Sequence, residues 1–145
     1  MSDILMEAEK HTNNKHKDFS TRPALYDDKM VAKSALYFAD EVNADFILIF
    51  SKTWSLAKLV SAFKPNQPVF AFTRDAHVLR IMNILFAIHP FLEKEWSETN
   101  PLENENNAIE ILKANWLAKP GQKVVIINHI VQFGTRAPYL KVLEL

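Results

Sequence analysis

Apolar residues along this chain alternate between short unbroken runs and longer stretches in which they recur every three or four positions. The unbroken runs occupy residues 46–50, 69–72 and 124–127. Runs of this kind are typical of strands that are covered on both faces of a parallel sheet. The three-and-four spacing between them is typical of amphipathic helices. The alternation therefore predicts an α/β domain.

The helical spacing predicts four helices, which cover residues 28–43, 54–63, 75–85 and 108–117. Asp27 or Asp28 is expected to cap the first helix, and Asp75 opens the third. Residues 93–107 are rich in glutamate and asparagine and predict a solvated loop.

Two shorter strands are predicted at residues 88–92 and 139–143. With them, the elements predict a three-layer sandwich, in which a mostly parallel five-stranded sheet carries helices on both faces. We expect right-handed crossovers and an antiparallel last strand. The α/β domain should cover residues 27–145, preceded by an arm or linker of residues 1–26.

Ligands of such sheets bind beyond the carboxyl ends of the strands, where the winding reverses. If the first strand is central, the loop after it faces residues 128–136, which follow the fourth strand. That first loop carries three hydroxyls and an ammonium group, on Ser51, Lys52, Thr53 and Ser55. Unpaired N–H groups and the helix dipole favour an anion there, and a phosphate would suit the site. Ser and Thr also serve as ordinary N-caps at this position, so both interpretations stand.

The second loop contributes His129 and Arg136 as candidate ligand contacts. Of the five histidines, His129 alone lies at the predicted point of reversal, and none is spaced for zinc. The glutamates of residues 93–110 are expected to serve as caps and solvated surface. With no nucleophile signature in the chain, we predict neither a catalytic residue nor a metal site.

Composition narrows the classes of function. The 145 residues are 48% hydrophobic, enough for a single core. Basic and acidic residues number 17 each, which argues against a nucleic acid or a membrane surface as partner. The absence of cysteine excludes disulfides and thiolate chemistry, and a cytoplasmic location is expected. Only two glycines are present, so few loops can approach a phosphate closely.

Two adjoining segments resemble the C-terminal domain of pyruvate kinase. Residues 51–57 read Ser-Lys-Thr-Trp-Ser-Leu-Ala and are similar to the family's Thr-x-Ser-Gly-x-Ser/Thr-Ala loop. Residues 61–73, with Pro65 and Pro68, resemble its Ser-x-Tyr-Arg-Pro-x-x-Pro-Ile-x-Ala-x-Thr segment. Residues 87–90 and 120–127 look like the family's Gly-Val/Ile-x-Pro segment and Pro-Gly-Asp strand entry. Residues 1–9 resemble the helix that leads out of the catalytic barrel.

The resemblance implies a regulatory and oligomerising domain. The family's full enzyme transfers phosphate from phosphoenolpyruvate to ADP on a (β/α)₈ barrel, using Mg²⁺ and K⁺. These 145 residues hold no counterpart of that barrel, so no cofactor or turnover is expected of this chain alone. It would be either a fragment of a larger kinase or a free-standing protein that lacks the barrel.

The resemblance also implies a phosphorylated effector at Ser51, Lys52, Thr53 and Ser55. Several positions depart from the family pattern. Trp54 replaces a glycine, Leu56 replaces a hydroxyl, and Ile130 and Val131 stand where effector-responsive members have Trp and Arg. These departures argue against tight binding of a sugar bisphosphate and leave room for a lone phosphate or sulfate.

Other interpretations remain open. The chain could be a free-standing sensor of phosphorylated small molecules, whereas an independent nucleotide-dependent enzyme is disfavoured because the glycine pattern is lacking. The last strand is expected at a sheet edge, where residues 139–144, from Tyr139 to Glu144, would pair with a second copy in a homodimer. The helix of residues 30–42 would add apolar contact. Alternatively, the arm of residues 1–26 covers that edge.

Overall fold

The computed structural model describes residues 24–145, with four helices and five strands in that range. The helices are α1 (Ala24–Glu41), α2 (Ser55–Ala62), α3 (Ala76–Met82) and α4 (Pro101–Ala114). The strands are β1 (Phe46–Phe50), β2 (Val69–Thr73), β3 (Ile88–Leu92), β4 (Lys123–Gln132) and β5 (Thr135–Glu144). The predicted arm, its likeness to a barrel-exit helix and its cover over the sheet edge depend on residues that lie outside the described range.

The five strands form one sheet in the order β3-β2-β1-β4-β5. All neighbours are parallel except β4 and β5, which are antiparallel. This arrangement confirms the predicted α/β fold class, and β1 is central, which is the condition for the loops after β1 and β4 to face each other. Ile47 of β1 pairs with Val69 on one side and with Val125 on the other, so β1 lies between the two halves of the sheet.

Side chains of β1 alternate between two separate cores. Ile47 and Ile49 face a core that α1, α2 and α3 cover, whereas Phe46, Leu48 and Phe50 face a core covered by α4. All five residues are at most 1% exposed, and each side chain of this size contributes about 1.5 to 3 kcal/mol when fully buried. The unbroken apolar run in the sequence is thus explained by helices on both faces of the sheet.

Two predicted helix starts were wrong. Helix α1 begins at Ala24, so Asp27 lies in its first turn and neither Asp27 nor Asp28 is its N-cap. Helix α4 begins at Pro101, seven residues before the predicted start, with Asn100 as its N-cap. The start of α4 was missed because two of its inward positions are polar and do not register as hydrophobic spacing. These residues, Asn104 and Glu105, are at most 2% exposed.

The predicted loop of residues 128–136 is instead the end of a hairpin. Strand β4 continues to Gln132, Phe133 and Gly134 make a two-residue turn, and β5 starts at Thr135. Both turn residues have positive φ, at 53° and 72°, as the tight turns between antiparallel strands require. The bulky Phe133 hides this signal, because the usual sequence mark is Asn or Asp before Gly.

A buried carboxylate ties β5 to α4. Glu105 is 1% exposed and accepts a hydrogen bond from the Tyr139 hydroxyl at 3.1 Å. Lys141 Nζ lies 2.8 Å from Glu105 Oε2, an ion pair whose hydrogen-bond alignment is poor. Burial and the adjacent Glu105 carboxylate raise the pKa of Tyr139. The glutamate therefore holds the last strand, and its expected place on a solvated surface was wrong.

Left-handed residues end the helices although glycine is scarce. Helix α4 ends in a Schellman motif, in which the N–H of Trp116 donates to the Lys113 carbonyl at 3.1 Å and that of Leu117 to the Leu112 carbonyl at 2.9 Å. Trp116 occupies the left-handed position, with φ 61°, and its side chain is 86% exposed. Such a conformation costs an L-residue roughly 1 to 2 kcal/mol.

No helix among residues 24–145 is both long and apolar enough to cross a membrane.

Replacing Trp116 by Gly should stabilise the protein by about 0.5 to 1 kcal/mol. Glycine adopts the positive φ without steric strain, and little packing is lost from so exposed a ring. The measurement is the free energy of unfolding in urea. As a matched control, Ala114→Gly in the last helical residue of α4 should destabilise by up to about 1 kcal/mol. Equal destabilisation by both substitutions would contradict the assignment of strain to Trp116.

Candidate functional site

Charged side chains converge at the carboxyl ends of the inner strands. Lys52 follows β1, Arg74 follows β2, and His129 lies in the outer part of β4. Because the strands are parallel, these carboxyl ends lie along the same end of the sheet, on either side of the point where the winding reverses. Lys52, His129 and Arg136 line the same cleft there, with a volume of about 40 Å³. That volume admits a few water molecules or one small anion.

A carboxylate from the loop before α4 stands among these cations. Glu98 Oε2 lies 2.5 Å from Lys52 Nζ, and Glu98 Oε1 pairs with the Arg74 guanidinium. The Lys52 hydrogen bond, with the charges of Lys52, Arg74 and Arg136, holds the pKa of Glu98 below its usual value. Because Glu98 is 45% exposed, water weakens each ion pair. The pairs therefore position the side chains more than they stabilise the fold.

The position of Glu98 depends on a buried amide. Asn104, 2% exposed on α4, accepts the N–H of Ser97 at 2.7 Å and donates to the Ser97 carbonyl at 2.8 Å. The neighbouring Trp96 packs edge-on against Phe50 of β1, with ring centroids 6.0 Å apart. Helix α4 and the core thus fix the backbone on both sides of Ser97, and Glu98 follows directly.

His129 links the first helix to the hairpin. Its Nε2 lies 3.0 Å from Asp28 Oδ1, and its Nδ1 lies 3.3 Å from Arg136 Nη2. Since a guanidinium can only donate, Nδ1 accepts and Nε2 carries the proton that is shared with Asp28. The ring is 8% exposed, so His129 holds Arg136 in place and offers little surface of its own.

The hydroxyls of the first loop serve mainly the loop itself. Ser51 is 3% exposed and donates to the Thr53 carbonyl, and Thr53 Oγ1 accepts the N–H of Ser55 at 3.4 Å. Trp54 precedes α2 in a right-handed conformation without a side-chain cap, and its ring lies 4.7 Å from Lys58 Nζ. None of the three hydroxyl residues lines the cleft beside Lys52.

The sequence pattern thus predicted part of this cluster. Lys52, His129 and Arg136 are together, as their loops predicted, whereas Arg74 and Glu98 were missed. Arg74 had a usable signal, because it comes directly after an unbroken apolar strand. Glu98 had none, since it is one of several glutamates in a polar stretch. Residues 24–145 contain no group of three or more His, Cys, Asp or Glu placed to hold a metal ion.

A second unusual carboxyl group lies at the end of β3. Glu93 is 2% exposed, and neither of its oxygens has a hydrogen-bond partner within the described part of the chain. Burial raises the pKa of Glu93 to about 7, the Asn107 side chain opposes this rise, and the charges of Glu103 and Glu95 add to it. Glu93 lines a cavity of about 450 Å³ between the end of β3 and α4. The expectation of a solvated glutamate was wrong at this position as well.

Comparison with known proteins agrees with this fold. The family model described as "Pyruvate kinase, alpha/beta domain" matches residues 29–140. The chain is 29% identical over 125 residues to "Pyruvate kinase isozyme A, chloroplastic" of Ricinus communis, which covers 81% of this chain and 21% of that protein. It is 36% identical over 103 residues to "Pyruvate kinase 2" of Candida glabrata, covering 68% of this chain and 20% of that protein.

Solved structures show the same architecture. A structure of Cryptosporidium parvum pyruvate kinase in complex with ADP superposes with a TM-score of 0.75 at 22% identity. The superposition covers 89% of this chain and 25% of that one. The chain therefore spans about a fifth to a quarter of the length of the proteins that it matches.

Titration of Glu93 should make stability depend on pH. Its folded pKa of about 7 exceeds the ordinary value of 4.5, so the folded state holds a proton that the unfolded state has released. The free energy of unfolding should fall as pH rises through that window, by at most about 3 kcal/mol. Urea unfolding at several pH values measures this slope. Glu93→Gln should flatten the slope, whereas Glu144→Gln on the exposed strand surface should not. Identical slopes in wild type and Glu93→Gln would contradict the assignment of the pH dependence to Glu93.

Proposed function

Because the chain belongs to the pyruvate kinase family as its C-terminal alpha/beta domain, we propose that it serves as a regulatory and oligomerising domain of such an enzyme. The match over residues 29–140 is the observation that carries this proposal. Phosphoryl transfer from phosphoenolpyruvate to ADP, with its Mg²⁺ and K⁺, would take place on a partner barrel domain. A cytoplasmic location stays a prediction. A free-standing sensor of the same fold would use the same cleft.

The regulatory role would depend on a phosphate group bound at the cleft. Lys52, Arg74 and Arg136 already surround one carboxylate, and a phosphate dianion offers more acceptor oxygens to the same donors. The N-terminal N–H groups of α2, next to Lys52, favour an anion by the helix dipole. A ligand phosphate would displace Glu98, whose exposed side chain can swing into water.

The size of the ligand is limited by the first loop. Trp54 is 36% exposed and stands where family members have a glycine, so a large ring occupies the approach to the start of α2. Without glycine, the backbone cannot lie as closely against a second phosphate. We therefore expect a single phosphate or a small phosphorylated metabolite to bind more readily than a sugar bisphosphate.

Two substitutions should change phosphate affinity in opposite directions. Lys52→Ala removes a charge-assisted contact of about 1.5 to 3 kcal/mol and should weaken binding by roughly tenfold or more. Glu98→Gln removes the competing carboxylate and should strengthen binding. Isothermal titration with inorganic phosphate at constant ionic strength measures both.

The matched control for this pair is Lys33→Ala, a lysine of α1 whose Nζ lies over the Phe63 ring and outside the cleft. Its phosphate affinity should equal that of the wild type. Unchanged affinity in both Lys52→Ala and Glu98→Gln would remove the cleft as the anion site.

Assembly would use the free edge of the sheet. Strand β5 is the last in the sheet order, so one of its edges has no strand partner among the described residues. Apolar side chains are exposed nearby: Val142 is 42% exposed, and Val131 and Phe133 of the hairpin are 63% and 97% exposed. A twofold axis along this edge would join residues 139–144 of two copies as an isologous contact.

Helix α1 extends the same surface, because it packs against both β4 and β5. It presents Met30, Tyr37 and Phe38, which are 45%, 64% and 43% exposed. Lys141, the basic residue within the paired segment, is engaged by Glu105 and so does not repel a second strand. These features favour a second copy of this chain as the occupant of the edge.

Val142→Lys should shift the protein toward a monomer. The substitution places a charge on the proposed contact without disturbing a buried residue, and charges on edge strands oppose pairing. Sedimentation equilibrium measures the dissociation constant. The matched control is Ile84→Lys, which changes an equally apolar and 83% exposed residue beyond α3, close to the opposite edge of the sheet. A wild-type chain that stays monomeric at high micromolar concentration would defeat the proposal.

A further inference from the structure

The carboxyl group of Glu93 is buried, and the Asn107 side chain offsets only part of the effect of that burial. It is 2% exposed, both oxygens lack a hydrogen-bond partner within residues 24–145, and its own N–H is engaged by the Thr73 carbonyl at 2.8 Å. An unpaired carboxylate in such a place is costly, so it either keeps a proton or binds a cation. Native proteins rarely bury such a group without a partner.

The cavity that Glu93 lines is open to solvent and large enough for a small molecule. Its volume of about 450 Å³ lies within the range of ligand clefts. Its lining also includes two further carboxylates, Glu95 and Glu110, and one lysine, Lys94. Leu92 and Ile111 supply apolar wall. Counted as ionised, these groups carry a net negative charge, which disfavours anions.

The cavity differs from the anion cleft in position and in chemistry. The two share no lining residue, although residues 93–98 pass from one to the other. Residues 24–145 offer no set of three or more carboxylates or histidines with metal-ligand geometry, so a divalent cation lacks its usual oxygen cage. An ammonium group needs fewer ligands and tolerates an apolar neighbour on its carbon chain.

We propose that this cavity is a binding site for a small primary amine, whose ammonium group pairs with Glu93 and whose hydrocarbon part lies on Leu92 and Ile111. Glu93 and Asn107 both line the cavity, and a rotation of the Glu93 side chain would bring its two unpartnered oxygens, which are buried as they stand, to an ammonium group there. Glu110 is exposed at the rim and attracts the cation without fixing its position. This site would add a cationic ligand to a domain whose proposed effector is an anion.

The test is an NMR titration of the full chain with n-butylammonium chloride. Binding should be saturable, and the shifted amide signals should cluster at residues 92–95, 107 and 110–111. n-Butanol, which has the same carbon chain without the charge, should bind at least about tenfold more weakly. Potassium chloride and calcium chloride at matched ionic strength should leave these signals in place.

Glu93→Gln should weaken butylammonium binding about tenfold or more, because the amide keeps the shape and loses the charge. Glu144→Gln removes an equivalent charge from β5 and should bind as the wild type does. A well-dispersed amide spectrum of Glu93→Gln shows that its fold is intact. The proposal would be overturned if wild type and Glu93→Gln bound butylammonium with equal affinity, or if butanol bound as well as butylammonium. It would also be overturned by calcium-induced shifts at the same residues or by shifts scattered over the surface.

Discussion

The central strand β1 is the constraint from which the rest of the fold takes its position. It bonds to a parallel strand on each side and is covered by a helical layer on each face. Its backbone polar groups are paired and its five side chains are buried, so it has no freedom to shift register without exposing apolar surface. The loop after it, with Lys52, is therefore held at a fixed place on the sheet edge. Strand β4 is held between β1 and β5 up to Ile127, and beyond that point it pairs with β5 alone and carries His129 and the hairpin.

Much of this framework was predictable from the sequence because it follows from burial. Unbroken apolar runs such as residues 46–50 mark doubly covered strands, and the three-and-four spacing after Asp75 marks a helix whose N-cap the structure confirms. The central place of β1 then brings Lys52 and His129 together by topology alone. The buried strands of residues 46–50, 69–72 and 124–127, and the approach of Lys52 to His129, rest on this single physical rule.

What could not be predicted depends on polar residues that are buried. Asn104, Glu93 and Glu105 look like solvated positions in a chain rich in glutamate and asparagine, and only their surroundings make them interior. Glu105 lies far in sequence from its partner Lys141, so the local pattern carries no information about that pairing. The turn at Phe133 was not predicted for a related reason, because an aromatic residue there has the positive φ that is usually found at Asn. Sequence patterns therefore fail at positions where a buried polar contact or a strained turn outweighs the usual preference of the residue.

Glu98 also acts as an anion that the protein itself supplies to the cleft. A carboxylate tethered beside Lys52 and Arg74 is present at a constant effective concentration, however dilute the protein is. An anion from solution that bound there would compete with this intramolecular one, so its apparent affinity would be lowered by a constant factor that the tether sets. Helix α4, through Asn104, decides how tightly the tether is held. Substitutions in α4 that loosen this hold would therefore change the strength of that competition.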